Sequence, residues 1–104
     1  RKRMFVFENV TLLDDRSIQR VLREVDSKDL GLALKGATEE VRQRIVRNMS
    51  ERAAKMLLDD MAALGPVRMA QVEEAQGRIV GVIRRLEEAE EVFVMRGGED
   101  DLLV

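Results

Sequence analysis

The chain has 104 residues, with 18 Lys and Arg against 20 Asp and Glu and no His, Cys, Trp or Tyr, so its formal charge is −2 and its pI about 5.3. That inventory excludes disulfides, thiol and imidazole nucleophiles, Cys/His zinc sites and haem held by those side chains. With 45% apolar residues it is one domain's worth of protein, able to bury roughly 65% of its unfolded surface and build a core without staples.

No apolar run approaches the roughly 20 residues that cross a bilayer, and no secretion signal opens the chain, so the expected setting is soluble and cytoplasmic. The start Arg1-Lys2-Arg3 reads as the end of an upstream helix or linker, with the chain a piece of a longer protein. Met4-Phe5-Val6-Phe7 follows, holding two of the three Phe residues. It is either a plug on the helical core or a docking hinge to an upstream domain.

Ile18, Val21, Leu22 and Val25 have the i, i+3, i+4, i+7 spacing of one helical face, and Asp14 or Asp15 caps it, predicting a first helix over about 14–25. Leu30, Ala33, Leu34 and Ala37 repeat the spacing after Ser27 as the expected N-cap, and Gly36 stops it. Thr38 caps a third helix with Glu39 and Glu40 in its first turn, Arg44 and Arg47 near its end and Val41, Ile45 and Met49 inward, and Asn48 ends it. Ser50 opens a fourth whose apolar face is Ala53, Met56, Leu57, Met61 and Leu64, stopped by Gly65-Pro66. A fifth, over about 70–90, buries Val72, Ala75, Ile79, Val82, Ile83 and Leu86. Val92 to Met95 is extended, has no partner strand and is expected to lie across helices. The acidic tail over 97–104 is expected to be flexible, with Leu102, Leu103 and Val104 available to dock. The fold class is therefore all-α, a compact domain of five to six helices with short connections, armadillo-like in helix length but without a fixed-period repeat.

Charge is zoned: residues 1–68 hold 14 basic and 11 acidic side chains (+3), and residues 69–104 hold 4 and 9 (−5). On the fourth helix, with about 100° per residue and Ala53 at zero, the apolar stripe centres near 10°, while Arg52, Lys55 and Asp59 fall at about 200–260° and face out together. The plain explanation is a solvated face with i, i+4 pairs such as Lys55 with Asp59; the sharper one is a ridge of alternating sign that a partner reads. Asp60, at about 340°, lies inside the stripe and needs a partner, either backbone N–H groups or Arg68 across the Gly65-Pro66 turn. The Met residues at 49, 56, 61 and 69 read as core filler.

Chemistry is poorly served. Asp14-Asp15, Asp59-Asp60 and Asp100-Asp101 are adjacent pairs whose carboxylates splay about 100° apart on a helix, which does not aim both at one reacting atom. Gly97-Gly98 lacks the strand-to-helix setting of a phosphate cradle. Arg42, Arg44 and Arg47 suggest a nucleic-acid surface, but the chain is net acidic with no aromatic platform. No enzyme, cofactor, metal or nucleic-acid partner is expected.

Six strings in order, Met4-Phe5-Val6-Phe7, Leu13-Asp14-Asp15-Arg16-Ser17-Ile18-Gln19, Ala33-Leu34-Lys35-Gly36-Ala37, Asn48-Met49-Ser50-Glu51-Arg52-Ala53-Ala54, Gly65-Pro66-Val67-Arg68 and Arg96-Gly97-Gly98-Glu99-Asp100, resemble the C-terminal domain of the bacterial flagellar motor switch family FliG. The resemblance runs from Met4 almost to the end. It implies a rotor component at the cytoplasmic face of the inner membrane, in the basal body, whose charged ridge meets a cytoplasmic loop of the stator protein MotA to generate torque. The ridge residues it implies are Lys35, Arg52, Asp59, Asp60 and Arg68; Asp60 is assigned mainly to holding Arg68 and the turn. It makes Met4, Phe5, Val6 and Phe7 the hinge that reorients the domain when rotation sense switches, and so divides the chain into 1–7, the helical domain 8–96 and the tail. FliM, FliN, FliF and neighbouring FliG subunits are implied as partners, mostly through domains outside this chain. The alternative is a helical scaffold for ring assembly without stator contact. Two positions depart from the family pattern: Glu90 stands where a Gly is usual after the last helix, leaving its end undefined, and Gly31 interrupts the second helix, at up to about 1 kcal/mol relative to Ala.

Overall fold

The computed structural model describes residues 5–95. These form a 3₁₀ helix (Phe7–Leu12) and five α-helices: α1 (Asp15–Glu24), α2 (Ser27–Lys35), α3 (Glu39–Arg47), α4 (Glu51–Leu64) and α5 (Met69–Glu88). The all-α class is as expected, and α1 to α4 each start where a short polar side chain accepts an orphan N–H. Asp14 Oδ1 accepts from Ser17 N–H at 2.8 Å, Thr38 Oγ1 from Val41 at 3.2 Å and Ser50 Oγ from Ala53 at 3.1 Å. The α2 cap is Asp26, whose carboxylate accepts from Lys28 N–H at 3.2 Å; Ser27, expected in that place, is the first helical residue. At α5 the third helical residue reaches back, Gln71 Oε1 accepting the Arg68 N–H at 3.1 Å.

Helix α2 is the centre, packed against both α4 and α5, and its Ala33 and Leu34 are wholly buried. Gln76 Nε2 donates to Ala33 O at 3.0 Å and Arg78 grips Asp29 at 2.8 and 3.0 Å, so polar contacts flank the apolar α2–α5 seam. At the end of α2 the Val72 side chain lies against the glycine: a Cβ on Gly36 would sit 2.5 Å from Val72 Cγ1. Only glycine fits there without displacement. Gly65 ends α4 at φ 61°, ψ −153°, a region essentially reserved for glycine.

The 3₁₀ helix is absent from the helix-period reading because its period is three. Phe7, Val10 and Leu13 fall on one edge and are all buried, packing against α3 and α5, while Asn9 Oδ1 accepts the Val6 N–H at 3.0 Å. Phe7, 3% exposed, belongs to the core; Phe5 packs on that core half-buried, and Val6 is 46% exposed. Met4 of the same motif and the tail over 97–104 lie outside the described residues.

At the other end the chain closes on itself. Helix α5 terminates with Glu90 at φ 60°, and the pair Glu91 N–H to Leu86 O and Glu90 N–H to Glu87 O, both 2.9 Å, is a Schellman cap with Glu in the usual glycine position. This defines the helix end that the missing glycine leaves undefined in the sequence. Val92 is then buried, Phe93 N–H donates to Ser17 Oγ at 3.1 Å, and Val94 forms an antiparallel bridge with Leu13, with Met95 N–H donating to Leu12 O at 2.9 Å. The extended segment thus finds no partner strand among the described residues, as expected, and is held instead by one isolated backbone bridge to Leu13, the non-helical residue after the 3₁₀ helix. Ser17, the buried polar residue, is there to receive Phe93.

Candidate functional site

The expected ridge centres on α4, an uninterrupted helix of 14 residues. Only Leu57 and Met61 on it are buried, with Ala53, Ala54 and Leu64 half-covered. The covered stripe therefore centres near 50° rather than 10° on the wheel used above, because α4 packs chiefly on one neighbour, α2. Two expectations fail for that reason. Met56 is 59% exposed instead of lying in the core. Asp60 is exposed at the edge of the stripe instead of buried within it. Met69, at the start of α5, is 68% exposed and is not core either, whereas Met61 is buried and Met49 half-buried.

Arg52, Lys55 and Asp59 are all exposed on the outward face. Arg52 and Asp59 are two turns apart, about 10 Å along the axis, so alternating charges line one rigid rod. Lys55 and Asp59 form no ion pair: among the described residues, no salt bridge involves Lys35, Arg52, Lys55, Asp59, Asp60 or Arg68. Their charge is available to a partner.

Asp60 lies away from Arg68. It lines a groove of about 300 Å³ with Ser27, Lys28, Gly31, Ala63 and Leu64, beside the first turn of α2. Arg68 caps α5, whose Val72 one turn later touches Gly36. Lys35, half-buried, precedes that same contact as the last residue of α2. The fold therefore gathers Lys35 and Arg68 at one end of α2 and places Asp60 at the other. Among the described residues the expected Asp60–Arg68 pairing is absent, and no hydrogen bond from a backbone N–H to the Asp60 carboxylate is found there either.

The three arginines considered for nucleic acid are engaged within the fold. Arg42 pairs with Glu39 at 2.8 Å, an arrangement that holds the Glu39 carboxyl below its ordinary range. Arg44 donates to the Leu13 carbonyl and lies 3.6 Å from Asp15, which Arg47 also approaches at 3.5 Å. Asn48 Nδ2 donates to Asp15 at 3.1 Å while Asn48 Oδ1 accepts from Gln19 Nε2 at 3.0 Å; the Asn48–Asp15 bond, first, and Arg47 lower the Asp15 pKa. This network staples α1 to α3 and the Leu13 bridge. It escaped the sequence reading because its members are about 30 positions apart. No group of three or more acidic, His or Cys side chains converges to hold a metal among the described residues, and no helix there is long and apolar enough to cross a membrane.

Residues 1–94 match the model of a protein family described as the FliG C-terminal domain. The flagellar motor switch protein FliG of Thermotoga maritima is 58% identical over all 104 residues, and that of Bacillus subtilis 52% identical over the same length. In both, the chain spans 31% of the relative's own length. Among solved structures, FliG of H. pylori (residues 116–343) superposes with a TM-score of 0.84 at 37% identity, covering 86% of this chain and 39% of that one. Full-length FliG from Aquifex aeolicus gives 0.80 at 46% identity, covering 82% and 26%.

Proposed function

This chain belongs to the FliG C-terminal domain family, and from that premise we propose that it is the part of a flagellar rotor on which the stator pushes. The observation that carries the reading is the pair Arg52 and Asp59, opposite in sign, exposed and unpaired on the outward face of α4. Charges that only keep a helix soluble commonly pair at i, i+4; these are left open. A cytoplasmic loop of MotA bearing complementary charges engages them in turn, and α4 passes the force through α2 to the rest of the domain. Lys35 and Arg68 extend the positive part of the ridge and Asp60 its negative edge.

No chemistry is needed, since ion flow through the stator supplies the energy. Each exposed pair contributes about 0.2–1 kcal/mol, so torque comes from many weak contacts. Switching is a rigid-body reorientation of this domain. Phe7 is locked in the core, so the pivot lies before it, at the exposed and extended Val6 (φ −117°, ψ 167°). FliM, FliN, FliF and adjacent FliG subunits bind mostly through other parts of the full protein, at the cytoplasmic face of the inner membrane.

The test is a double reversal, Arg52→Glu with Asp59→Lys, read as stall torque in motile cells. Torque falls and is partly restored by reversed charges on the stator loop, whereas either single neutralisation leaves swimming largely intact. Normal rotor assembly with no restoration by any stator variant refutes direct pairing. A scaffold role instead predicts full torque in the double reversal and loss of flagella on substitution of Phe5 or Phe7.

A further inference from the structure

Four of the seven large apolar side chains that the described residues expose, Val6, Leu12, Phe93 and Met95, gather at one corner. The bridge between Leu13 and Val94 explains why. Leu13 is buried and Val94 half-buried on the core side of the bridge, so their neighbours Leu12, Phe93 and Met95 stand on the opposite, exposed face. Val6 lies on the same edge of the 3₁₀ helix as Leu12, six residues and about 12 Å back. The segment over 91–95 also has an open edge. Because Met95 N–H donates to Leu12 O, Leu13 and Val94 are a non-hydrogen-bonded pair, whose own N–H and C=O groups point away from each other. No backbone hydrogen bond of Val94 is found among the described residues.

Residues 96–104 lie outside the described residues, and their sequence suits both the edge and the face. We propose that Gly97-Gly98 forms a two-residue turn and that Glu99 to Val104 return antiparallel along this edge, Leu102 covering Phe93. Gly-Gly is among the pairs that such a turn selects. A two-residue loop joins 96 to 99 and 94 to 101 by hydrogen bonds, which uses the groups that Val94 leaves open. The same register sets Leu102 across from Phe93 and Val104 two residues further on the same apolar face, and places Arg96 opposite Glu99 with opposite charge. Six returning residues reach about 20 Å, enough to cross the corner. A hairpin alone is marginal in water. Here one strand is already fixed by buried Val92, by Phe93 N–H on Ser17 and by the Leu13 bridge, so the tail adds to an ordered edge. The inference is independent of the charged ridge; its consequence is that the chain's own tail covers the apolar corner beside Val6, the proposed pivot.

The experiment uses the full-length protein carrying Phe93→Cys with Leu102→Cys, oxidised mildly and mapped by mass spectrometry. The comparison is Phe93→Cys with Leu103→Cys, because one residue further along a strand the side chain turns to the other face. The 93–102 pair is expected to close within one chain about tenfold faster than the 93–103 pair. In the unsubstituted protein the Val94 N–H is expected to exchange slowly, and Leu102→Ser to speed that exchange about tenfold, the low end of what burying a Leu side chain contributes. Equal closure of the two pairs overturns the register and with it the proposal, as does fast exchange at Val94 in the unsubstituted protein. Slow exchange that Leu102→Ser leaves unchanged assigns the corner to the preceding part of the polypeptide, and disulfides formed only between two copies assign it to a second copy; either result overturns the tail as its cover.

Discussion

Replacing Glu90 by glycine should stabilise the domain, although Glu90 is exposed. Its φ of 60° costs an L-residue roughly 1–2 kcal/mol, which glycine does not incur. Against this, glycine adds about 0.4–1 kcal/mol of freedom to the unfolded chain. The balance is a gain of about 0.5–1 kcal/mol, or roughly 4 °C in midpoint for a domain of this size. Glu87, Glu88, Glu90 and Glu91 also crowd the negative end of the α5 dipole, so removing one charge contributes a few tenths of a kcal/mol by itself. Glu90→Gln isolates that part, since Gln keeps the backbone cost. The assay is urea unfolding followed by circular dichroism, where a rise in midpoint at constant m-value reports stability alone. If Glu90→Gly is no more stable than Glu90→Gln, the left-handed cap is not the source of strain and the argument fails.

Gly36→Ala should destabilise by about 1–3 kcal/mol, because its methyl meets Val72 Cγ1 at 2.5 Å; Val72→Ala in the same chain should recover part of the loss, read as non-additivity of the two unfolding midpoints. Ser17→Ala strips the acceptor from the Phe93 N–H and should cost about 1–3 kcal/mol, with faster amide hydrogen exchange at Phe93 as the local readout. The Asp14 pKa is lowered, chiefly by the Ser17 backbone N–H it accepts. Its folded value therefore lies below the ordinary 3.8, so its contribution is present above that pH and disappears as pH falls through the folded value. Asp14→Asn keeps an acceptor but cannot titrate, so the wild-type advantage should shrink between about pH 5 and pH 2 in urea midpoints; a constant difference contradicts the cap assignment.

Most of the helical framework was legible because its signals are local. A cap and the N–H it receives are two or three residues apart, and apolar periodicity repeats within two turns, so Asp14, Thr38 and Ser50 could be read directly, as could the outward-facing charges of α4. The order and spacing of six short strings pointed to the family in the same way. Only the tertiary structure decided what depends on a neighbour. A wheel orders residues around α4 but does not say how wide a stripe α2 covers, which is why Met56 and Asp60 lie outside it. Ser17 and Phe93 meet across 76 positions, Arg44 and Leu13 across 31, and no pattern within a window foretells a partner that far away. The depth of the groove at Gly31 is likewise set by where α4 comes to rest, since a glycine reads as a weakness in the helix until a second helix turns the missing methyl into space.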